Sequence, residues 1–191
     1  MSQPKILAFG GSLRAGSFNQ KTATLAAEGA RSAGADVTLI ALRDYPLPLF
    51  DEDLEAAEGM PENARKLKEL FLSHDGLLIA SPEYNSAPSA VLKNAIDWVS
   101  RSTSEDEPFL AAFDGKTAAL VAASPGGYGG SRGLKQLRPL LENIKVTVIE
   151  PEVTIPEAHK VINPDGSFAD ASVATKVRDL GAALADAMKK H

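Results

Sequence analysis

The sequence predicts an α/β protein built on a doubly wound, five-stranded parallel sheet. Three observations support this fold class. Short apolar runs with the length of buried strands alternate with amphipathic, helix-length segments along the chain. The runs expected to be strands one, three and four each end in a loop of glycine, proline and small polar residues. The length, 191 residues, suits one domain over residues 1–191, with strand order 2-1-3-4-5.

The elements follow from apolar pattern and flanking turn residues. Helices are expected where apolar residues recur on one side, and Pro61 suits the first turn of the second helix. Residues 43–59, acidic and rich in proline and leucine, are expected to be irregular, either as a surface crossover or as a functional loop. The expected strands are residues 6–9, 36–42, 76–80, 116–123 and 145–149, and the expected helices are residues 19–33, 61–71, 87–102, 130–143 and 170–190.

Composition excludes several classes of protein. The net charge of −5 and the lack of a basic run argue against a nucleic-acid-binding surface. Cysteine is absent, which rules out disulfides and thiol catalysis and fits a cytoplasmic protein. The first apolar run, residues 6–9, is too short for a signal peptide or a membrane span. The three histidines are scattered, so no metal site is expected.

The loop after the first strand, residues 10–19, has the composition of a phosphate site. The start of the following helix offers unpaired N–H groups and the positive end of the helix dipole. Ser12, Ser17 and Asn19 add side-chain donors, and Arg14 adds a planar cation suited to bidentate phosphate contact. Alternatively, Ser17 or Asn19 only caps the helix. We call this segment the first loop.

The motifs that the first loop lacks narrow the ligand. It contains neither the G-x-x-x-x-G-K-[ST] pattern of P-loop triphosphatases nor the G-x-G-x-x-G pattern of dinucleotide-binding folds. The second strand also ends in Leu42-Arg43, without a clean acidic partner for a ribose. Several hydroxyls and one arginine suit a terminal monophosphate better.

Two further loops are expected at the same edge of the sheet. The second loop, residues 81–85, reads S-P-E-Y-N and follows a buried strand, where an open α/β sheet places its ligand. The third loop, residues 124–130, is glycine-rich, and its bare backbone can lie against a flat ring and offer N–H groups to carbonyl oxygens.

A competing motif overlaps the third loop. Residues 129–133 match G-x-S-x-G, the nucleophile elbow of α/β hydrolases. That motif requires the serine on a sharp turn directly after a strand, whereas the expected fourth strand ends near Ala123, well before Ser131. We interpret the match as chance.

Residues 11–19 and 81–98 resemble the NADPH-dependent FMN reductase family, flavodoxin-like proteins that include bacterial quinone, chromate and azo-dye reductases. The family patterns G-S-x-R-x-x-S-x-N, S-P-E-Y-N and L-K-N-A-I-D-W stand here at residues 11–19, 81–85 and 92–98. The resemblance in element order covers nearly the whole chain. It implies FMN as cofactor, NADPH or NADH as co-substrate, and hydride chemistry at FMN N5 without a catalytic side chain.

The resemblance also implies the cofactor contacts and the electron acceptors. The acceptors would be quinones, free flavin, azo or nitro compounds, or metal oxyanions. In the family the third loop flanks the isoalloxazine ring. The implied FMN contacts are Ser12, Arg14, Ser17, Phe18, Asn19, Pro82, Glu83, Tyr84, Asn85, Ser124, Gly126 and Gly127.

One position departs from the family. A Pro-Gly pair usually precedes the L-K-N-A-I-D-W segment, and this chain has Pro88-Ser89. Glycine there would permit close approach of the backbone, so Ser89 is expected to alter the channel over the flavin.

Assembly and an alternative function complete the expectations. Val91, Ile96, Trp98 and Val99 place apolar residues on more than one side of the third helix, which together with the resemblance predicts a homodimer or homotetramer. The alternative function is a flavodoxin-like electron carrier without NAD(P)H reductase activity. Such carriers are commonly more acidic than this chain.

Overall fold

The computed structural model describes residues 3–189 and contains the predicted parallel sheet. Its strands are β1 (Lys5–Gly10), β2 (Asp36–Ala41), β3 (Gly76–Ala80), β4 (Glu83–Tyr84), β5 (Ala87–Pro88), β6 (Thr117–Ala123) and β7 (Thr147–Ile155). The five long strands are all parallel, in the order β2-β1-β3-β6-β7, while β4 and β5 form a separate antiparallel hairpin. Counted without the hairpin, this is the predicted order 2-1-3-4-5, which is therefore confirmed.

Helices cover both faces of the sheet. The helices are α1 (Phe18–Ser32), α2 (Glu52–Glu58), α3 (Glu62–Leu72), α4 (Ala90–Val99), α5 (Ser131–Asn143), α6 (Ala158–Val161) and α7 (Ala171–Met188). Alternate residues of a strand point to opposite faces, so Ile6 and Ala8 pack with α1 and α7, whereas Leu7 and Phe9 pack with α3, α4 and α5. The central strands β3 and, after Lys5, β1 carry no polar side chain because both faces of the sheet are buried there.

The second loop folds differently from the polar turn that the sequence predicts. Residues 83–84 and 87–88 pair as the β4–β5 hairpin, and Asn85 and Ser86 form its tip with positive φ angles of 52° and 64°. Two successive left-handed residues are the geometry of a two-residue hairpin turn. Helix α4 therefore begins at Ala90, and the predicted start at residue 87 is wrong because Ala87 and Pro88 belong to the hairpin.

The expectation of an irregular segment over residues 43–59 holds for residues 45–51 and is wrong for the rest, which is largely helical. A 3₁₀ turn (Leu42–Asp44) and helix α2, capped by Asp51, lie within or next to it. Between them the chain is held on α4, since Asn94 accepts from Phe50 N (2.8 Å) and donates to Pro48 O (2.8 Å). The Trp98 indole also donates to Pro48 O (2.9 Å). The crossover thus covers the second apolar side of α4, and that side needs no second subunit to bury it.

Strand β7 runs past its predicted end at residue 149 and continues through Pro151 to Ile155. It is an edge strand, where proline is tolerated, and the pairing with β6 shifts register between Ala118 and Leu120. The extension carries the chain to the third loop. Ser124 N donates to Ile155 O (3.1 Å), and Ala158 N at the start of α6 donates to Ser124 O (2.9 Å).

Candidate functional site

A cavity of about 110 Å³ lies where the loops after β1, β3 and β6 meet. The carboxyl ends of these adjacent strands share one edge of the sheet, the place where open α/β folds bind ligands. Nine of the twelve predicted contacts line the cavity, and Asn85, Gly126 and Gly127 lie just outside it on the same loops. The lining residues are Ser12, Arg14, Ser17, Phe18, Asn19, Pro82, Glu83, Tyr84, Ala123, Ser124 and Pro125.

The first loop presents several hydrogen-bond donors to this cavity. Ser17 is the N-cap of α1, and its hydroxyl oxygen accepts from Gln20 N (3.2 Å). Ser12 Oγ accepts from Arg14 N (3.3 Å). Both hydroxyl hydrogens remain able to donate, so the capping role and a ligand role are compatible. Within residues 3–189 the N–H groups of Phe18 and Asn19 have no partner, as expected in a first helical turn.

The Asn19 side chain has a different role from the one that the sequence predicts. Its Nδ2 donates to Ala123 O (2.8 Å), and its Oδ1 accepts from Ala123 N (2.9 Å). The amide is buried, and one of its two N–H groups and its oxygen join α1 to the end of β6. The Asn19 side chain therefore has a structural role, while its second amide hydrogen and its backbone N–H remain able to donate.

Ser89 contacts the first loop rather than projecting over the site. Its buried hydroxyl donates to Gly11 O (2.6 Å) and accepts from Leu92 N (3.1 Å), so it caps α4 and ties that helix to the first loop. The φ angle of Ser89 is −64°, a value that any residue adopts, so glycine is not required there. Gly11 packs closely, since a Cβ at this position would lie 3.1 Å from Leu92 Cβ.

Glu83 caps helix α5 from the neighbouring hairpin. Its side chain is only 9% exposed, and Oε2 accepts from the backbone N–H groups of Arg132 and Gly133, both at 3.0 Å. A carboxylate at a helix N-terminus is stabilised by unpaired N–H groups and by the helix dipole. Gln136 also donates to Ser86 O (2.6 Å), so these three hydrogen bonds hold the hairpin on α5.

The third loop is held by its own backbone and by α6. Ser124 Oγ accepts from Gly126 N (3.2 Å), and Gly126 O accepts from the N–H groups of Gly129 and Glu157 (both 3.3 Å). A Cβ built on Gly127 would meet no atom within 4 Å, so this part of the loop is open. Gly130 has a φ of +90°, and a Cβ there would lie 2.5 Å from Ala122 Cβ.

Sequence reasoning missed four residues at this edge. Ala123 and Pro125 line the cavity although neither belongs to a recognised motif. Tyr128 is exposed, and the guanidinium of Arg132 stacks on its ring at 4.4 Å. Tyr128 could have been found from the sequence, because it is an aromatic residue inside a glycine-rich loop. The contact of Arg132 with its ring could not, because it depends on how the chain turns between residues 128 and 132.

The structure gives no support to a hydrolase site. Ser131 is the first residue of α5 and lies well beyond the end of β6 at Ala123. Within residues 3–189, no histidine hydrogen-bonds to Ser131. The described part of the chain also contains no group of three potential metal ligands. Among its helices, none combines the length and the apolar character needed to cross a bilayer.

Comparison with known proteins decides the family. The family model of the NADPH-dependent FMN reductases matches residues 4–160. The chain belongs to this family. An NAD(P)H-dependent FMN reductase of Pseudomonas aeruginosa is 37% identical over 167 residues, which cover 87% of this chain and 85% of that protein. A quinone reductase of Escherichia coli is 36% identical over 143 residues, which cover 74% of this chain and 72% of that protein.

A solved structure agrees with this assignment. FerB, a flavoenzyme NAD(P)H:(acceptor) oxidoreductase of Paracoccus denitrificans, superposes with a TM-score of 0.81 at 28% identity, and 98% of each chain is covered. The predicted family, the predicted flavodoxin-like α/β fold and the predicted oxidoreductase class are therefore confirmed. FMN as cofactor and NAD(P)H as reductant follow from the same membership.

Proposed function

We propose that this chain is an NAD(P)H-dependent FMN reductase that delivers electrons to small-molecule acceptors, with quinones as the first class to test. The observation that carries the proposal is the convergence of nine predicted FMN contacts on one cavity at the carboxyl edge of the sheet. Membership of the family supports the cofactor, and the names of the P. aeruginosa and E. coli relatives support free flavin and quinones as acceptors. Azo or nitro compounds and metal oxyanions remain further candidates.

The residues around the cavity fit the phosphate of FMN. A phosphate monoester needs several donors and a positive charge, and it has no hydrogen to donate when fully ionised. Ser12, Ser17 and Ser124 bring hydroxyl groups to the cavity, and Arg14 brings a guanidinium. The unpaired N–H groups of Phe18 and Asn19 add two backbone donors at the positive end of α1.

The open residues beside the cavity fit a flat ring. Pockets that enclose a whole ligand of this size usually measure about 300–1,000 Å³, so the cavity of about 110 Å³ takes only part of FMN. Next to the cavity lie the exposed residues Tyr84, Asn85, Gly126 and Gly127. The two glycines carry no side chain, so a flat ring can lie against their backbone. The backbone of residues 83–85, held rigidly by the contacts of Glu83 with α5, would orient the ring edge.

The protein contributes binding and orientation, not a reacting side chain. FMN held at this site would supply the two-electron transfer from the nicotinamide to the acceptor. We propose that donor and acceptor use the same open face in turn, since the hairpin, the first loop and the third loop bound the site on its other sides. Ping-pong kinetics are therefore expected, and intersecting double-reciprocal plots would argue against a shared site.

We also propose a homodimer or homotetramer. The apolar residues of α4 no longer support it, because Ile96, Trp98 and Val99 are buried within one chain. What supports it is the incomplete enclosure of the site by one chain, since Tyr84 in the cavity lining is about half exposed. Closed two-fold assembly is also the commonest form of oligomer. Light scattering at micromolar concentration tests this, and a fully active monomer would refute it.

Two further properties belong to the proposal. One domain spanning residues 1–191 is supported by a sheet that runs from Lys5 in β1 to Ile155 in β7, with α7 packed on α1. The cytoplasm is the proposed compartment, because the nicotinamide reductant is an intracellular metabolite.

The decisive experiment measures cofactor uptake and reduction separately. The purified chain should bind FMN stoichiometrically and more tightly than riboflavin, because riboflavin lacks the phosphate. Under anaerobic conditions NADPH or NADH alone should then bleach the bound flavin. A flavin that bleaches only after a separate reductase is added would indicate the electron-carrier function instead.

Steady-state rates with quinones, free FMN, ferricyanide and azo dyes would rank the acceptors. Ser131→Ala serves as a control and should leave NADPH oxidation near the wild-type rate.

A further inference from the structure

Gln20, in the first turn of α1, contacts both ends of the first loop. Its side-chain Oε1 accepts from Gly10 N (3.0 Å), at the residue where the loop begins. Its backbone N–H donates to Ser17 Oγ (3.2 Å), close to where the loop ends. The base of the first loop is therefore closed by the contacts of a single residue.

The side-chain amide of Gln20 also reaches strand β2. Its Nε2 donates to Ile40 O (2.9 Å), so the amide joins the ends of β1 and β2. The two strands are in register here, since Gly10 pairs with Ala41, and the amide adds a further rung at the end of their ladder. The approach is close, because a Cβ built on Gly10 would lie 2.7 Å from Gln20 N and 2.9 Å from Oε1.

The other side of the loop base is held by β3 and α4. Gly11 N donates to Ala80 O at the end of β3 (2.9 Å), and Gly11 O accepts from Ser89 Oγ (2.6 Å). Gly10 is thus held on the β2 side and Gly11 on the β3 side. Without the Gln20 amide, the first loop would start from a base that is fixed on one side only.

The part of the loop that carries the proposed phosphate donors is held mainly by local bonds. Residues 13–16 are exposed. Ser12 N donates to Gly10 O (2.9 Å), Arg14 N to Ser12 Oγ (3.3 Å) and Ser17 N to Arg14 O (3.2 Å). A segment with an exposed backbone and few packed contacts opens easily, so its shape depends on how its ends are fixed.

We infer that Gln20 is a positioning residue for the phosphate of FMN, because its side-chain amide fixes the base of the loop that carries the phosphate donors. Gln20 lies outside the lining of the cavity, so it acts through the loop and not by touching the ligand. Donors that are already in place lose less conformational entropy on binding. The inference rests on the proposed function and adds to it a residue that belongs to none of the predicted contacts.

The test compares Gln20→Met with a matched control, Arg31→Met. Methionine keeps the length of glutamine but has no amide. Arg31, in the last turn of α1, donates to Val37 O of β2 (2.9 Å), so its replacement removes another bond between α1 and β2, far along the helix from the first loop.

Three quantities are measured for each variant. Fluorescence titration gives the Kd for FMN and for riboflavin, and the ³¹P chemical shift of bound FMN reports the surroundings of the phosphate. Amide hydrogen exchange at residues 10–12 of the cofactor-free protein reports how firmly the loop base is held, and it does not depend on any flavin.

Gln20→Met is expected to weaken FMN binding about 5- to 30-fold, which corresponds to ordering the backbone of one released residue on binding. The Kd for riboflavin should hardly change, because riboflavin has no phosphate, and the ³¹P resonance should move toward that of free FMN. Amide exchange at residues 10–12 should become faster, since Gly10 N has lost its acceptor. Arg31→Met should keep the wild-type preference for FMN over riboflavin, even if its thermal midpoint falls.

Gln20→Asn provides a second variant in case Gln20→Met does not fold. Asparagine keeps the amide but is one methylene too short to bridge Gly10 and Ile40. The same selective loss of FMN affinity and the same faster exchange are therefore expected.

Several outcomes would overturn the inference. These are a wild-type preference for FMN over riboflavin in folded Gln20 variants, or equal weakening of both flavins. A similar loss of preference in Arg31→Met would point to a general structural role instead. Unchanged exchange at residues 10–12 would contradict the role in the loop without reference to a cofactor. A wild-type chain that takes up no FMN would contradict the proposed function, whereas the exchange measurement would still decide whether Gln20 fixes the loop base.

Discussion

Asn19 and Ala123 are joined by a reciprocal pair of hydrogen bonds although 104 positions separate them. The Asn19 amide donates to Ala123 O (2.8 Å) and accepts from Ala123 N (2.9 Å). This pairing aligns the start of α1, where the first loop ends, with the end of β6, where the third loop begins. The two loops proposed to hold the phosphate and the ring are thus held in register by one buried side chain.

Substitution of Asn19 should disturb both parts of the site at once. Asn19→Ala leaves the backbone groups of Ala123 buried without their partner, which should lower the free energy of unfolding of the cofactor-free protein by about 1–3 kcal/mol. Because the two loops lose their alignment, affinity for FMN and affinity for riboflavin should both fall. Urea denaturation and fluorescence titration measure these effects. A variant that loses FMN affinity alone would show that Asn19 acts on the phosphate and not on loop alignment.

Substitution of Arg14 should affect the phosphate only. Arg14 is exposed and has no ion pair within residues 3–189, so Arg14→Ala should barely change the stability of the cofactor-free protein. Removing one charge-assisted contact worth about 1.5–3 kcal/mol should weaken FMN binding roughly 10- to 150-fold. Riboflavin affinity should hardly change. Equal weakening of FMN and riboflavin would mean that Arg14 shapes the first loop instead of contacting the phosphate.

Removing the Ser89 hydroxyl should weaken FMN binding, because this hydroxyl is hydrogen-bonded to Gly11 O in the first loop. Ser89→Gly, which restores the residue usual in the family, costs only a few tenths of a kcal/mol as a helix N-cap. It also removes the hydrogen bond to Gly11 O (2.6 Å), worth about 0.5–1.5 kcal/mol. FMN affinity should therefore fall about 2- to 10-fold, and Ser89→Thr should restore it. Wild-type FMN affinity in Ser89→Gly would contradict a role for Ser89 in the first loop.

The loop that follows α4 should respond to acid through Glu107. Burial favours the neutral carboxyl, but hydrogen bonds from Lys68 and from Thr103 N (2.8 Å) and Oγ1 (2.7 Å) outweigh it, so the pKa of Glu107 lies below its usual value. A carboxyl whose pKa is lowered on folding stabilises the protein above its unfolded pKa of about 4.3. That contribution is lost as the pH falls through the folded pKa.

Glu107→Gln should therefore be destabilised mainly at neutral pH. Lys68 is almost fully buried and keeps Arg101 O as an acceptor when the carboxylate is replaced, so the free energy of unfolding should fall by about 1–3 kcal/mol at pH 7. The difference from wild type should shrink below about pH 4 in urea denaturation, because the wild-type carboxyl is then protonated. Glu105→Gln, at an exposed neighbouring position, is the control and should match the wild type. A difference that stays constant from pH 3 to pH 7 would contradict the assignment.

The sequence alone determined the architecture and the place of the site. Strands that are apolar at every position must be buried on both faces, and this requires helices on both sides of a parallel sheet. The carboxyl ends of such strands share an edge, so the motifs at residues 11–19 and 81–85 could be expected to meet. Both conclusions follow from local patterns in the sequence, namely the apolar strand runs and the two loop motifs.

Only the tertiary structure decided what each polar side chain does there. Asn19 pairs with a residue 104 positions away, and Glu83 caps a helix that begins 48 positions later. Trp98 is core because the crossover lies on it, which its helical spacing could not reveal. A hydrogen bond between distant segments leaves no periodic trace in the chain, since its partners are set by how the elements pack. The same polar residue types suit a ligand and a buried backbone group equally well, and only their neighbours in space distinguish the two roles.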